Sequence, residues 1–283
     1  MVLTCSSLWA AKQEGCFHNS GSVTKEISGF VIRIRPGNPK DTEDDDAGCR
    51  VVIRDRSKKA IFAVEEFALS IALLGQDVNG DGAPDVVLEG YSGGAHCCWT
   101  YYIVSLGDHP GLVRSFQNER GAGFERYKQS GKIEIYTMDG GFDYFAFLSH
   151  GETPFPSVYL QLDGKQFVDV SSSHLADYEE EIAGLEKHLT PKAVNQLRSV
   201  RKREQLTGDT DNRRTASYVL AIVFAYLYSG RETHAHQYLK KTWPAFDQPS
   251  MWALILQTRH EGILRYTRKG PPKPATAVPK TQQ

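Results

Sequence analysis

A chain of 283 residues with 40% hydrophobic and 11% aromatic content has enough apolar side chain for one large core or two ordinary ones, which excludes a wholly disordered or fibrous protein. Its formal net charge of -1 excludes a general polycation, yet residues 1–173 hold 16 Lys+Arg against 23 Asp+Glu and residues 174–283 hold 17 against 11, so the two parts differ in kind and are expected to attract. Five cysteines (Cys5, Cys16, Cys49, Cys97, Cys98) are too few for a disulfide scaffold and show no C-x-x-C zinc spacing.

In chain order, residues 1–19 start small and apolar but lack the basic region and full apolar core of a secretory signal. They read as a signal remnant or a local hydrophobic contact. Residues 28–35 alternate apolar and polar at their end and stop at Pro36-Gly-Asn-Pro39, the pattern of a half-buried strand and a turn. The acidic run Asp41-Thr-Glu-Asp-Asp-Asp46 is expected to be a solvated loop, because like charges repel and rarely pack. Further strands are expected at 49–55, 60–64, 68–74, 85–91, 99–106, 123–129, 132–137, 144–149, 157–162 and 166–170, from their β-branched and aromatic content between glycine, proline and Asx turns. Many short strands with no helical period between them predict an antiparallel all-β domain over about residues 20–172, a sandwich or part of a propeller-like sheet set.

The pattern changes at Ser171. Leu175, Tyr178, Ile182, Leu185 and Leu189 recur at steps of three or four, placing one helix face inward with Glu179, Glu180, Glu181, Glu186 and Lys187 toward water. Thr190-Pro191 opens another helix, carrying Val194, Leu197 and Val200 inward, and Asp209 to Asn212 reads as a polar break. Thr215 to Tyr228 is the most apolar run, closed by Gly230; it is too short to cross a bilayer and predicts a buried central helix. Residues 231–242 and 249–264 give two more helices around the turn Trp243 to Asp247, with Trp243, Phe246 and Trp252 as core anchors. The fold class expected is therefore α+β in two domains, all-β then helical over 173–268, followed by a Pro-rich tail at 269–283 expected to be disordered.

One stretch carries more chemistry than the rest. In Asp77-Val-Asn-Gly-Asp-Gly-Ala-Pro-Asp85, side-chain oxygens stand at Asp77, Asn79, Asp81 and Asp85, positions 1, 3, 5 and 9 of a loop with Gly82 at 6 and the Ala83 carbonyl at 7. A hard dication wants six to eight such oxygens, and alternate residues of a curled loop aim at one centre. Position 12 is Leu88, which cannot supply the carboxylate of an EF-hand, and the flanks read as strands rather than helices. A tight turn with Asx side chains bonded to their own backbone would use some of the same residues without a metal, but does not require four ligands in register.

These residues, followed by Val-Val-Leu, resemble the loop of FG-GAP or VCBS-type repeats, the calcium-binding β-hairpins of integrin α-chain propellers and of many secreted bacterial proteins. The resemblance covers about a dozen residues and implies a hairpin loop with a structural calcium. Asp139-Gly-Gly-Phe-Asp143 is at best a degenerate second copy, and the length excludes a complete seven-bladed propeller. Tyr91-Ser-Gly-Gly-Ala-His-Cys-Cys98 also resembles a segment beside such loops in uncharacterised bacterial envelope proteins.

His96, Cys97 and Cys98 admit a vicinal disulfide or structural thiols, a ligand-binding surface with Tyr91 and Ser92, or a Cys nucleophile with a His base. The first is favoured, since a base adjacent in sequence generally points away from the thiol. Arg198, Arg201, Lys202, Arg203, Arg213 and Arg214 make the helical part basic, which fits a solvated face or docking on acidic surface better than nucleic-acid binding. His234 and His236 are spaced wrongly to share a helix face as ligands. The function expected is a non-enzymatic, calcium-stabilised binding module, periplasmic or secreted, for an unknown protein or small ligand. The alternatives are a hydrolase at His96, Cys97 and the acidic loop, or a scaffold binding a partner through its helical domain.

Overall fold

The structure is a computed structural model that describes residues 15–17, 20–37, 48–94 and 98–268. The acidic run at 41–46, His96, Cys97, Cys5 and the tail at 269–283 lie outside them, as does most of 1–19. Among the described residues, three antiparallel sheets precede six α-helices, the α+β arrangement expected. The chain forms two compact units, residues 1–135 with 161–165, and residues 136–160 with 166–283. Helices begin near residue 173, as the change in periodicity indicates, but the second unit also takes in the turns at 139–156.

The strands are β1 (Gly15–Phe17), β2 (Val23–Ile27), β3 (Phe30–Pro36), β4 (Cys49–Arg54), β5 (Ala60–Glu66), β6 (Ala68–Gln76), β7 (Asp85–Tyr91), β8 (Trp99–Ser105), β9 (Gly111–Asn118), β10 (Ala122–Arg126), β11 (Ile133–Met138), β12 (Ser157–Asp163) and β13 (Gln166–Asp169). One sheet has the order β1-β6-β7-β8-β9, a second β2-β3-β4-β5 and a third β10-β11-β12-β13. In the second sheet every other residue points inward. Phe30, Ile32 and Ile34 of β3 face Ile53, Val51 and their neighbours of β4, all buried, in the period-2 pattern of a half-buried strand. These side chains meet Leu69, Val86, Leu88, Val104 and Leu106 from the first sheet in one core, giving a sandwich.

Cys16 of β1 and Cys49 of β4 are joined by a disulfide inside that core, linking one sheet to the other. The pairing closes a separation of 33 residues, a constraint on the unfolded chain of about 3 to 4 kcal/mol in the loop-entropy account. No spacing rule marked this pair. β1, β2 and β9 were also invisible in the sequence, being short or mixed in polarity and recognisable only by the strands beside them.

In the second unit, α4 (Thr210–Tyr228) is surrounded by α1 (Leu175–Glu186), α2 (Pro191–Ser199), α3 (Arg203–Gly208) and α5 (Glu232–Thr242), and α6 (Gln248–Glu261) follows. Val219, Leu220, Ile222, Val223, Phe224 and Leu227 are all buried, because a helix apolar on every side is stable only when packed on every side. Asp209 caps α4, accepting from the N–H groups of Asp211 and Asn212, so the polar break is a helix start. Thr190 caps α2 through Ala193, and Gly230 turns left-handed after α4, as expected. Among the described residues no helix is long and apolar enough to cross a membrane.

Several expectations are corrected. Residues 144–149 form turns, not a strand: Tyr144 and Ala146 have φ of 51° and 59°, and Phe145 donates its N–H to the Thr153 side chain. The aromatic alternation there serves a different purpose. Phe142 and Phe145 pack on Phe224 of α4 at ring separations of 4.4 and 5.6 Å. Leu175 stays exposed at the first position of α1, Phe246 is exposed as well, and Glu181 is half-buried rather than turned to water.

Asp139 anchors this unit. It is fully buried and accepts from Tyr228 Oη at 2.6 Å, Ile263 N at 3.0 Å and Gly141 N at 3.0 Å, and its carboxylate lies directly against the Gly262 backbone. Burial raises its pKa while these donors oppose the rise. Tyr228→Phe is expected to lower stability by about 1 to 3 kcal/mol by removing one donor from a buried carboxylate. Gly262→Ala, whose Cβ would collide with that carboxylate, should cost more; urea denaturation of each variant checks both.

Glu181 supplies a pH dependence. Burial pushes its carboxyl from 4.5 up to about 7, opposed by a hydrogen bond with Ser157. Between those values the folded chain holds a proton that the unfolded chain has released, so this contribution is whole below pH 4.5 and is lost as pH rises through about 7. Glu181→Gln should flatten that limb and melt higher than the parent at pH 8; an unchanged slope would refute the assignment.

Candidate functional site

The β6–β7 hairpin positions the acidic loop. β6 carries two register shifts, between Ile71 and Leu73 and between Leu74 and Gln76, that bend it before the turn. Strands flank the loop on both sides, as the hairpin reading expects. Inside it, Asp77 accepts from Gly80 N at 2.7 Å and Gly82 N at 2.9 Å, Asn79 Oδ1 from Asp81 N at 2.9 Å, and Asp81 Oδ1 from Ala83 N at 2.8 Å. Gly80 and Gly82 sit at φ of 79° and 82°, which L side chains rarely adopt. Two carbonyls tether the curl from outside: Gly164 N donates to Asn79 O and Leu106 N to Pro84 O.

Asp85 differs from the other loop carboxylates. It is 0% exposed, and its Oδ2 accepts from Val78 N at 2.8 Å and Asn79 N at 3.3 Å. Its Oδ1 is buried with no hydrogen-bond partner among the described residues. Burial pushes its carboxyl up to about 6, against the two N–H donors, and the charges of Asp81 and Asp77 add to the rise. Among the described residues no group of three or more His, Cys, Asp or Glu is gathered as a ready-made metal cluster. Asn79 and Ala83, the neutral oxygen donors of the expected set, lie in the same loop.

The second expected surface adjoins the same strand. Tyr91 ends β7; its ring lies 4.6 Å from Trp99 and 6.3 Å from Phe67, and its hydroxyl donates to Gly94 O. Ser92 holds the far side, donating its N–H to Cys98 O at 3.2 Å and accepting from Cys98 N at 3.0 Å through Oγ. Cys98 is disulfide-bonded, and His96 and Cys97 lie outside the described residues. A cleft of about 290 Å³ opens here, lined by Phe17, Ser70, Glu89, Tyr91 and Trp99 among others. Sequence reasoning found Tyr91 but missed Phe17, Ser70, Glu89 and Trp99 as neighbours. Only strand pairing brings them together.

The remaining signals dissolve into structure. Asp139 to Asp143 is a 3-10 turn capped by Asp139, with Phe142 in the core. Arg213 pairs with Glu152 at 2.9 Å, which holds that carboxyl down at about 2, and Arg214 lies 3.7 Å from Asp211. His234 and His236 stack on Tyr226 and Trp252. Compared with protein-family models, curated proteins and solved structures, the chain matches none.

Because a Cβ on Gly82 would meet nothing within 4 Å, replacing it tests the backbone alone. Gly82→Ala should lower stability by about 1 to 2 kcal/mol through left-handed strain in the curl. A chemical-denaturation midpoint equal to the parent's would show that the curl is not needed.

Proposed function

We propose that this chain is a calcium-stabilised, non-enzymatic binding module of an extracytoplasmic protein, in which the cation holds the β6–β7 hairpin in shape. The observation that carries the reading is the buried, unpartnered Oδ1 of Asp85 at the end of a loop that already bears Asp77 and Asp81. A lone buried carboxylate oxygen is costly, and a dication drawn into the loop would compensate the carboxylates of Asp77, Asp81 and Asp85 together where a proton compensates one. Asp77, Asn79, Asp81 and Asp85 would hold it with side-chain oxygens and Ala83 with its carbonyl. The resemblance of the loop to FG-GAP and VCBS-type repeats supports the same reading. The Cys16–Cys49 disulfide and the oxidised Cys98 support a periplasmic or secreted setting, since cytosolic thiols are kept reduced.

Calcium at a hundredfold excess over its Kd should stabilise the fold by about 2.7 kcal/mol, read as a rise in melting temperature of several degrees relative to chelator. Magnesium should do less, because it demands tighter octahedral geometry. Asp81→Asn and Asp85→Asn should each remove most of the increment. Identical melting in calcium and in chelator would refute the proposal.

A further inference from the structure

Where α2 gives way to α3, the chain builds a second cleft, of about 310 Å³, within the helical unit. Leu197 and Leu206 are fully buried, and polar residues spaced around them turn outward. Gln196 and Ser199 from α2 line one side, and Gln205 and Gly208 from α3 line another. Asp209 and Asn212, at the start of α4, complete it. Val200 is the one apolar side chain in this lining, and no aromatic ring takes part among the described residues.

The hydrogen bonds that shape the lining leave a mixed set of polar atoms unmatched. Gln205 is fixed at both ends: its Oε1 accepts from Arg201 N at 3.0 Å, and its carbonyl accepts from Asn212 Nδ2 at 3.2 Å. Asp209 Oδ1 accepts from Asp211 N at 2.8 Å and Asn212 N at 3.0 Å. Left over are Asn212 Oδ1, Asp209 Oδ2, Gln205 Nε2 and the whole Gln196 side-chain amide, none with a partner among the described residues. Asn212 is the telling one. It is only 6% exposed, and an amide oxygen so deep is costly to leave unmatched; the cleft that Asn212 lines is where a partner can reach it.

We infer that this cleft binds a sugar ring of an acidic glycan, a hexuronate unit whose hydroxyls meet Asn212, Asp209, Gln196 and Gln205. A hydroxyl both donates and accepts, so neighbouring ring hydroxyls match a lining that mixes amide N–H donors with amide and carboxylate oxygens. An apolar ligand would find only Val200. A volume of about 310 Å³ lies at the small end of ligand pockets, which suits a single ring. The charge around the cleft selects an acid: between residues 192 and 209 stand Lys192, Arg198, Arg201, Lys202 and Arg203 against Glu204 and Asp209. All five cations are exposed, and none forms an ion pair among the described residues, so their field is open to an anion within a Debye length of about 8 Å. The inference names a ligand class for the binding-module reading and rests on it, though not on the calcium loop, which belongs to the other unit.

Titration of the full, oxidised chain with trigalacturonate, followed through the side-chain amide NMR signals of Gln196, Gln205 and Asn212, tests it. Maltotriose supplies hydroxyls without charge, and citrate supplies charge without a ring. Saturable shifts of those amide signals with trigalacturonate, at least tenfold tighter than with either control, are the expected result. Gln196→Ala, at an exposed position whose side chain bonds to nothing else described, should weaken binding about tenfold and leave the remaining spectrum in place. Lys202→Gln combined with Arg203→Gln should weaken it severalfold at low ionic strength and little at high salt. No saturable shift at tens of millimolar, shifts that spare these amides, or equal binding of maltotriose or citrate each overturns the inference. If calcium still raises the melting temperature in that case, the loop reading survives and only the ligand is lost. Trigalacturonate binding without any calcium effect on melting would do the reverse.

Discussion

The β6–β7 hairpin closes on Asp85, a carboxylate taken out of water with only one of its oxygens hydrogen-bonded among the described residues. Two backbone amides of the turn, from Val78 and Asn79, are tied to it, so the curl and the start of β7 share one side chain. Burial is the constraint: it makes an ionised Asp85 unfavourable, and the charges of Asp81 and Asp77 in the same loop add to this. The same strand, β7, runs from Asp85 through Glu89 to Tyr91 with side chains alternating between the core and the outer face of the sheet.

Asp139 shows how the same residue type is satisfied without an ion. It too is wholly buried, at the start of an Asp-Gly turn, but three donors meet it, from Tyr228, Ile263 and Gly141, and glycine at position 262 lets the backbone come up against the carboxylate. The aromatic residues after it, Phe142 and Phe145, then insert against α4. Asp85 is accompanied by further acids and has an unmet oxygen; Asp139 is accompanied by donors and does not. The difference between a candidate cation loop and a structural cap lies in these surroundings rather than in the Asp-Gly pattern.

Much of the architecture was legible because its signals are local. Alternation in β3 and β4, the β-branched content of β7 and β8, the caps at Thr190 and Gly230 and the apolar run of α4 each reflect a short-range preference that the packed structure also satisfies. The acidic loop was legible for the same reason, with ligand-type residues at fixed offsets within nine positions. Where packing used a pattern for another purpose, the reading failed. The aromatic alternation at 144–149 looks like a strand but breaks into turns, because Tyr144 and Ala146 adopt left-handed conformations so that Phe145 can reach the helical core. Glu181 keeps helical spacing with its acidic neighbours, yet α1 packs so that this one is half-buried.

By itself the sequence determined the fold class, the run of strands followed by helices and the positions of the loop's oxygens along the chain, since periodicity, turn chemistry and spacing act over a few residues. Only the tertiary structure decided that Cys16 meets Cys49, that β1 and β9 complete the first sheet, that Asp85 is buried with an oxygen unmet, and that Phe17, Ser70, Glu89, Tyr91 and Trp99 share one cleft. Each of these depends on strand register between segments tens of residues apart, and register is set by which faces are buried together, a property no local window of the chain contains.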